Sequence, residues 1–208
     1  FMETMETIRE HYPPAAFYSS LNSLGTHDNP RILTLLGQSE DLSGHDRDWR
    51  AHYRLNHAER QRAVRRLKLA STLLYAFPGS PTVFYGDEAG MEGCEDPFNR
   101  GTFPWGCEDT VLLHHYRTLG RLRNTRLSLQ KGPIEYLRAE GGLLVFLRRW
   151  EDEVTLAALN NGPATQALEL PWCGAMAMDA LSRQQFAVHS GVLKITLPPE
   201  DGVLLIEC

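Results

Sequence analysis

The chain has 208 residues, 42% hydrophobic and 23% charged, with a formal net charge of −5, a composition that suits one large or two small globular domains and gives no expectation of disorder. Its densest basic run, RQRAVRRLKLA, lies on a leucine-bearing helical pattern, the solvated face of an amphipathic helix, so no nucleic-acid partner is expected. No stretch approaches the roughly 20 apolar residues of a membrane span, and FMETMETIRE lacks the basic flank and apolar core of a signal peptide, so no membrane partner is expected either.

Phe1, Met5 and Ile8 share one face of a helix that Pro13-Pro14 ends. No capping residue precedes Phe1, so the helix is expected to begin upstream of it. Residues 16–26 read as a buried strand, and 39–56 as a long polar surface loop of the kind that often carries function. His57 to Phe77 is the clearest helix, with Val64, Leu67, Ser71 and Leu74 on one side and Pro78-Gly79 as its breaker. PTVFY at 81–85 reads as a second buried strand, 86–109 as a loop, and 110–127 as a second amphipathic helix. Two successive βα units predict a parallel sheet with right-handed crossovers.

Beyond about residue 130 the period changes. YLRAE, LLVFLRRW, EVTLAALN, ALEL, VLKITL and GVLLIEC are short strand-like runs separated by Gly, Pro and Asn, which predicts a small antiparallel β-sandwich domain. Four scattered cysteines without a C-x-x-C pair lack zinc or redox spacing and fit a reducing cytoplasm.

The two βα loops hold most of the residues with chemistry to offer. In LGTHDNPRILTLLG, His27 and Asp28 stand between two apolar runs, where an active-site loop is usually built. Asp28 and Asn29 also suit a simple turn before Pro30, and the sequence leaves both readings open. In the second loop DPFNRGTFPW supplies an acceptor in Asp96, a planar donor fork in Arg100 and an aromatic face in Trp105, groups that suit sugar hydroxyls and rings. The competing reading makes Asp96 and Arg100 a surface ion pair, with Trp105 packed under the loop.

LGTHDNPRI resembles the His-Asp segment at the end of strand seven in the α-amylase family of glycoside hydrolases, and GSPTVFYGDE resembles its strand-eight segment. DPFNR followed by PW is similar to the subgroup holding neopullulanase, cyclomaltodextrinase and maltogenic amylase. The resemblance implies the last two βα units of a (β/α)8 barrel over 1–128, followed by the β-sandwich over 129–208. It implies α-glucan oligosaccharides or cyclodextrins as substrates; no cofactor and no metal ligand is expected within this chain. It further makes Asp28 the transition-state stabiliser, His27 a hydroxyl donor, and Asp96 with Arg100 the holders of a neighbouring glucose unit.

One departure from the family pattern bears on activity. A retaining glycosidase needs a nucleophilic carboxylate and a carboxylic acid about 5 to 5.5 Å apart, and the strand-four and strand-five segments that carry them in the family have no counterpart here. A complete barrel takes about 250 residues. The chain is therefore expected to be a C-terminal part, inactive alone, whose partner is the N-terminal part of the same polypeptide. Barrel strands without neighbours expose edges, so self-association or packing on the β domain is expected. Glu88 is the one plausible substitute carboxylate. Two other readings compete. Adjacent His-Asp occurs in metal-dependent phosphohydrolases, but His45, His52 and His57 lack ligand spacing. A non-catalytic carbohydrate-binding module would use aromatics such as Trp150 and Trp172.

Overall fold

The apolar spacing of the first residues becomes helix α1, Met2–His11, in a computed structural model that describes residues 1–208, the side chain of Ser43 excepted. Pro14 then occupies the first turn of a short helix α2, Pro14–Tyr18, where a missing N–H breaks no hydrogen bond. The strand expected over 16–26 is accordingly cut to β1, Leu21–Ser23. Its aromatic start belongs to α2, whose Phe17 is buried.

Helices α3, Ile32–Gly37, α4, Arg47–His52, and α5, His57–Ala76, follow. The expected surface loop over 39–56 thus contains a helix. Asp46 caps α4 by accepting the Trp49 N–H at 2.8 Å, a local signal that a search for apolar period passes over. At the start of α5, Asn56 and Glu59 form a reciprocal capping box, with bonds of 3.0 and 2.9 Å. Hydrogen bonds from Ser39 and Asn56 hold the Glu59 carboxyl below its usual range. The second expected strand contracts to β2, Ser80–Thr82, because the chain turns after Phe84, whose carbonyl accepts the Asp87 N–H at 3.1 Å. β1 and β2 pair as a two-stranded sheet. Helix α6, Thr110–Thr125, is followed by a separate short helix α7, Leu127–Lys131.

Eight strands complete the chain: β3, Ile134–Glu140; β4, Leu143–Trp150; β5, Glu153–Asn160; β6, Gln166–Pro171; β7, Met176–Asp179; β8, Gln185–His189; β9, Val192–Leu197; and β10, Asp201–Glu207. They form one sheet in the order β3-β4-β5-β10-β7-β8-β9-β6, and the register of every strand pair given for it is antiparallel. This refines the expected sandwich to a single curled sheet. β8 makes the join, pairing with β7 through Gln185–Ala187 and with β9 through Val188 and His189. One apolar cluster draws on both halves, with Val145 and Leu156 from one and Leu168, Leu193 and Ile195 from the other. β7 and β8 lie where the sequence predicted no strand, because each is short, with alternate residues buried in β7 and only half-buried in β8.

The chain divides into two compact units, one of Phe1–Leu21, Thr72–Ser80 and Thr118–Cys208, the other of Asn22–Ser71 and Pro81–Arg117. Within the first, two guanidinium groups satisfy carbonyls at the end of α5 and just beyond. Buried Arg148 donates to Ala76 O at 2.9 Å and Gly132 O at 2.6 Å, and Arg123 donates to Tyr75 O at 3.3 Å and Phe77 O at 3.2 Å. Burial pulls Arg148 down to about 10. Among the described residues no helix is long and apolar enough to cross a membrane, and no group of three or more His, Cys, Asp or Glu is placed to hold a metal ion. All four cysteines are free thiols.

Candidate functional site

The second unit contains all the residues singled out in the two loops. β1 delivers the chain through buried Gly25 into His27 and Asp28. A Cβ at Gly25 would collide with Asp87 Oδ2, so the backbone passes directly over that carboxylate. His27 Nε2 lies 3.2 Å from Asp28 Oδ1, and the two side chains are 63% and 72% exposed. Thr26 Oγ1 accepts the Asp28 N–H at 3.3 Å and Asn29 Nδ2 at 3.0 Å. The segment is therefore also a local turn, and the two readings left open by the sequence are compatible.

Beneath the turn lies a buried ion pair that sequence reasoning missed. Arg31 Nη1 sits 3.2 Å from Asp87 Oδ1 and also donates to Tyr85 O. The guanidinium carbon is 4.3 Å from the Phe84 ring centroid and 4.6 Å from that of Tyr85. Burial pushes the Asp87 carboxyl up to about 6, against the opposing pull of Arg31, so Asp87 is mostly ionised at neutral pH. The Arg31 N–H donates to Gly93 O at 2.9 Å, and the Gly93 N–H donates to Thr34 Oγ1 at 3.0 Å. The sequence held one clue, a lone arginine at the head of the apolar run ILTLLG.

In the second loop Arg100 Nε lies 2.7 Å from Asp96 Oδ1, with side chains 47% and 56% exposed. The two residues are thus brought together as an accessible pair. Trp105 is 82% exposed and touches Phe103 at a ring separation of 4.6 Å, which corrects the alternative that buried it under the loop. Tyr85 OH donates to Gly101 O at 2.8 Å. Glu88 accepts the Gly86 N–H at 2.8 Å and is half-buried, turned into its own loop. Asn99, fully buried, donates from Nδ2 to His27 O at 2.8 Å and to Asn29 O at 2.7 Å. That amide ties the loop carrying Asp96 and Arg100 to the loop carrying His27 and Asp28.

The exposed groups are of hydroxyl-binding type: two carboxylates that accept, an imidazole and a guanidinium that donate, and an aromatic face. In the β sheet, by contrast, Trp172 is core, its indole donating to Met176 O at 3.3 Å. Trp150 is half-buried beneath the Lys131 ammonium, 5.4 Å from its ring centroid.

Residues 134–203 match the family described as Maltogenic Amylase, C-terminal domain. Over 98% of its length the chain is 35% identical to an amylopullulanase of Thermoanaerobacter thermohydrosulfuricus, of which it spans 14%. It is 28% identical, again over 98% of its length, to a cyclomaltodextrinase of Geobacillus thermopakistaniensis, of which it spans 32%. An Anoxybacillus alpha-amylase of known structure superposes with a TM-score of 0.78 at 26% identity, covering 99% of this chain and 41% of that one. The chain thus spans about a third or less of these two sequence relatives.

Proposed function

We propose that this chain, similar along its length to glycoside hydrolases of the α-amylase family, forms the last two βα units of a (β/α)8 catalytic barrel over residues 1–128 and a C-terminal β-sandwich domain over 129–208. The parent reaction is retaining hydrolysis of α-1,4 or α-1,6 glucosidic bonds in α-glucan oligosaccharides or cyclodextrins. One observation carries the reading: the accessible His27–Asp28 pair follows a β strand and is hydrogen-bonded to the loop that bears the accessible Asp96–Arg100 pair. Barrel enzymes build their sites in this way, from loops at the carboxyl ends of strands.

In this reading Asp28 accepts hydrogen bonds from hydroxyls of the sugar at the scissile bond as positive charge develops there, and so stabilises the oxocarbenium-like transition state. His27 donates to a hydroxyl of the same sugar. Asp96 and Arg100 grip the adjoining glucose unit, the planar fork of Arg100 presenting parallel donors. The nucleophile and the proton donor come from other segments of the same polypeptide. Asp28 and His27 cannot replace both, because the covalent steps need one carboxylate to attack and one acid to protonate the leaving oxygen. Glu88, turned to the Gly86 N–H, is not positioned as either. In this reading β1, whose Leu21 is exposed and which among the described residues pairs only with β2, is covered by the remaining barrel strands, or by self-association in their absence.

The purified 208-residue chain is expected to release no product from maltotriose, pullulan or cyclodextrin. Turnover that Glu88→Gln abolishes would overturn this. In the complete enzyme, Asp28→Asn should lower kcat about a hundredfold or more while changing KM only a few-fold. An unchanged kcat would remove Asp28 from the catalytic set.

A further inference from the structure

We infer that Asn99 is a positioning residue that sets the direction of Asp28, an inference that rests on the proposed catalytic role of Asp28. The Asp28 side chain is 72% exposed, with the equally accessible His27 as its ion-pair partner. Little packs around it, so its direction is set by the backbone that carries it. That backbone is anchored on both sides by one amide, since Asn99 Nδ2 reaches His27 O at 2.8 Å and Asn29 O at 2.7 Å. Both protons of the NH2 group are used, one before Asp28 and one after it.

The choice of residue follows from the chemistry. Two carbonyl acceptors at one point call for a group with two donors, which a side-chain amide supplies without burying a charge and which a carboxylate does not supply. Asn99 is fully buried, so its bonds are shielded from competing water. Its Oδ1 has no hydrogen-bond partner among the described residues, a cost that the fold bears while keeping the donor side. Asn99 also lies between Asp96 and Arg100 in a tight segment, where Phe98 N–H donates to Glu95 O at 2.9 Å and Arg100 N–H to Pro97 O at 3.1 Å. The anchor that aims Asp28 therefore also fixes its spacing from the second pair.

Asn99→Ala in the complete enzyme should lower kcat about 10- to 100-fold, with KM within about twofold, because a small misplacement of a catalytic group carries a cost of that order. Asn99→Asp should behave likewise, its carboxylate facing two carbonyl oxygens. In an Asp28→Ala background the same Asn99→Ala change should cost several-fold less than in the wild type, since only His27 remains to be aimed on the anchored turn. Equal losses in both backgrounds would mark Asn99 as a general structural residue and overturn the inference alone. An Asp28→Ala enzyme of full activity would overturn the proposed function and this inference with it. Should the enzyme variants fail to fold, nitrogen-15 relaxation in the 208-residue chain decides. Asn99→Ala should raise the mobility of the Asp28 and Asn29 amides, and unchanged order there would overturn the inference.

Discussion

The curled β sheet and the loop-bearing unit hold themselves together by different means. In the sheet, the residues of the apolar cluster are aliphatic or aromatic, the buried guanidinium of Arg148 donates to the carbonyls of Ala76 and Gly132, and two further buried polar side chains serve turns. Asn160 Nδ2 donates to Ala164 O at 2.9 Å and Pro198 O at 2.8 Å, and Asp179 accepts from Ser182 N at 3.0 Å and Leu204 N at 3.0 Å. In the other unit the interior holds charge in Arg31 with Asp87 and in Glu59 of the capping box, and partly exposed Arg60 bonds to Glu92 and, at 3.0 Å, to Asp109. The sheet gains from non-directional burial, which tolerates small shifts. The charged interior tolerates few, because losing the partner of a buried charge is costly. The difference teaches where geometry matters: the unit that presents an accessible set of polar groups is the one whose backbone is held by directional bonds.

Breaking the Arg31–Asp87 pair should have the largest effect. Arg31→Met leaves the Asp87 carboxylate buried alone and removes the bond to Tyr85 O, so a loss of about 3–5 kcal/mol is expected in denaturant unfolding near pH 8. The gap should narrow below the Asp87 value of about 6, where the carboxyl is already neutral. Adding Asp87→Asn should recover most of the loss. An Arg31→Met chain as stable as the wild type at pH 8 would show that charge does not organise this unit.

A cut into the sheet should cost somewhat less and behave differently. Leu193, with 0% exposure at the centre of the apolar cluster, should lose about 3 kcal/mol as Leu193→Ala, and the loss should not vary with pH. Hydrogen exchange should quicken across β6, β8 and β9. A cost under about 1 kcal/mol would mean the curled halves pack loosely.

The third test uses pH alone. His115 is buried against Lys68 O and Ser71 Oγ, 3.2 and 3.1 Å from its Nε2, and burial pulls its value from 6.5 to about 4. The unfolded chain takes up a proton below 6.5 that the folded imidazole refuses until about 4. The stability tied to neutral His115 is thus whole above 6.5 and lost as pH falls toward 4. Asp87 acts in the opposite sense, since its folded carboxyl protonates near 6 while the unfolded one waits until about 3.8. The wild type therefore shows a partial cancellation. His115→Gln removes one side of it, and between pH 7 and 4 its stability relative to wild type should rise by on the order of 3 kcal/mol or less. A pH-independent difference would refute the buried neutral histidine.

Much of the β half was legible because its runs alternate or are continuously apolar between Gly, Pro and Asn, and most of the expected strands form within a residue or two. β7 and β8 were not legible. MAMD and QFAVH are too short for their alternation to stand out, and they become strands by pairing with each other and with β10 and β9. The helix hidden in 39–56 was signalled only by an aspartate cap, and the strand expected at 16–26 lost its first half to a helix opened by Pro14.

The same division runs through the site. Local sequence alone determined that His27, Asp28, Asp96 and Arg100 lie in two loops after short strands, because their polarity between apolar runs is a local property. Only the tertiary structure decided that Asn99 clasps the first loop, that Arg31 lies over Asp87, and that β8 closes the sheet. Asn99 bonds residues 70 and 72 positions away, and Arg31 bonds one 56 away. Nothing in a window of neighbouring residues distinguishes an asparagine that will donate to two distant carbonyls from one that merely makes a turn. Such partners are selected when the chain closes its long loops and most buried donors and acceptors must find partners together.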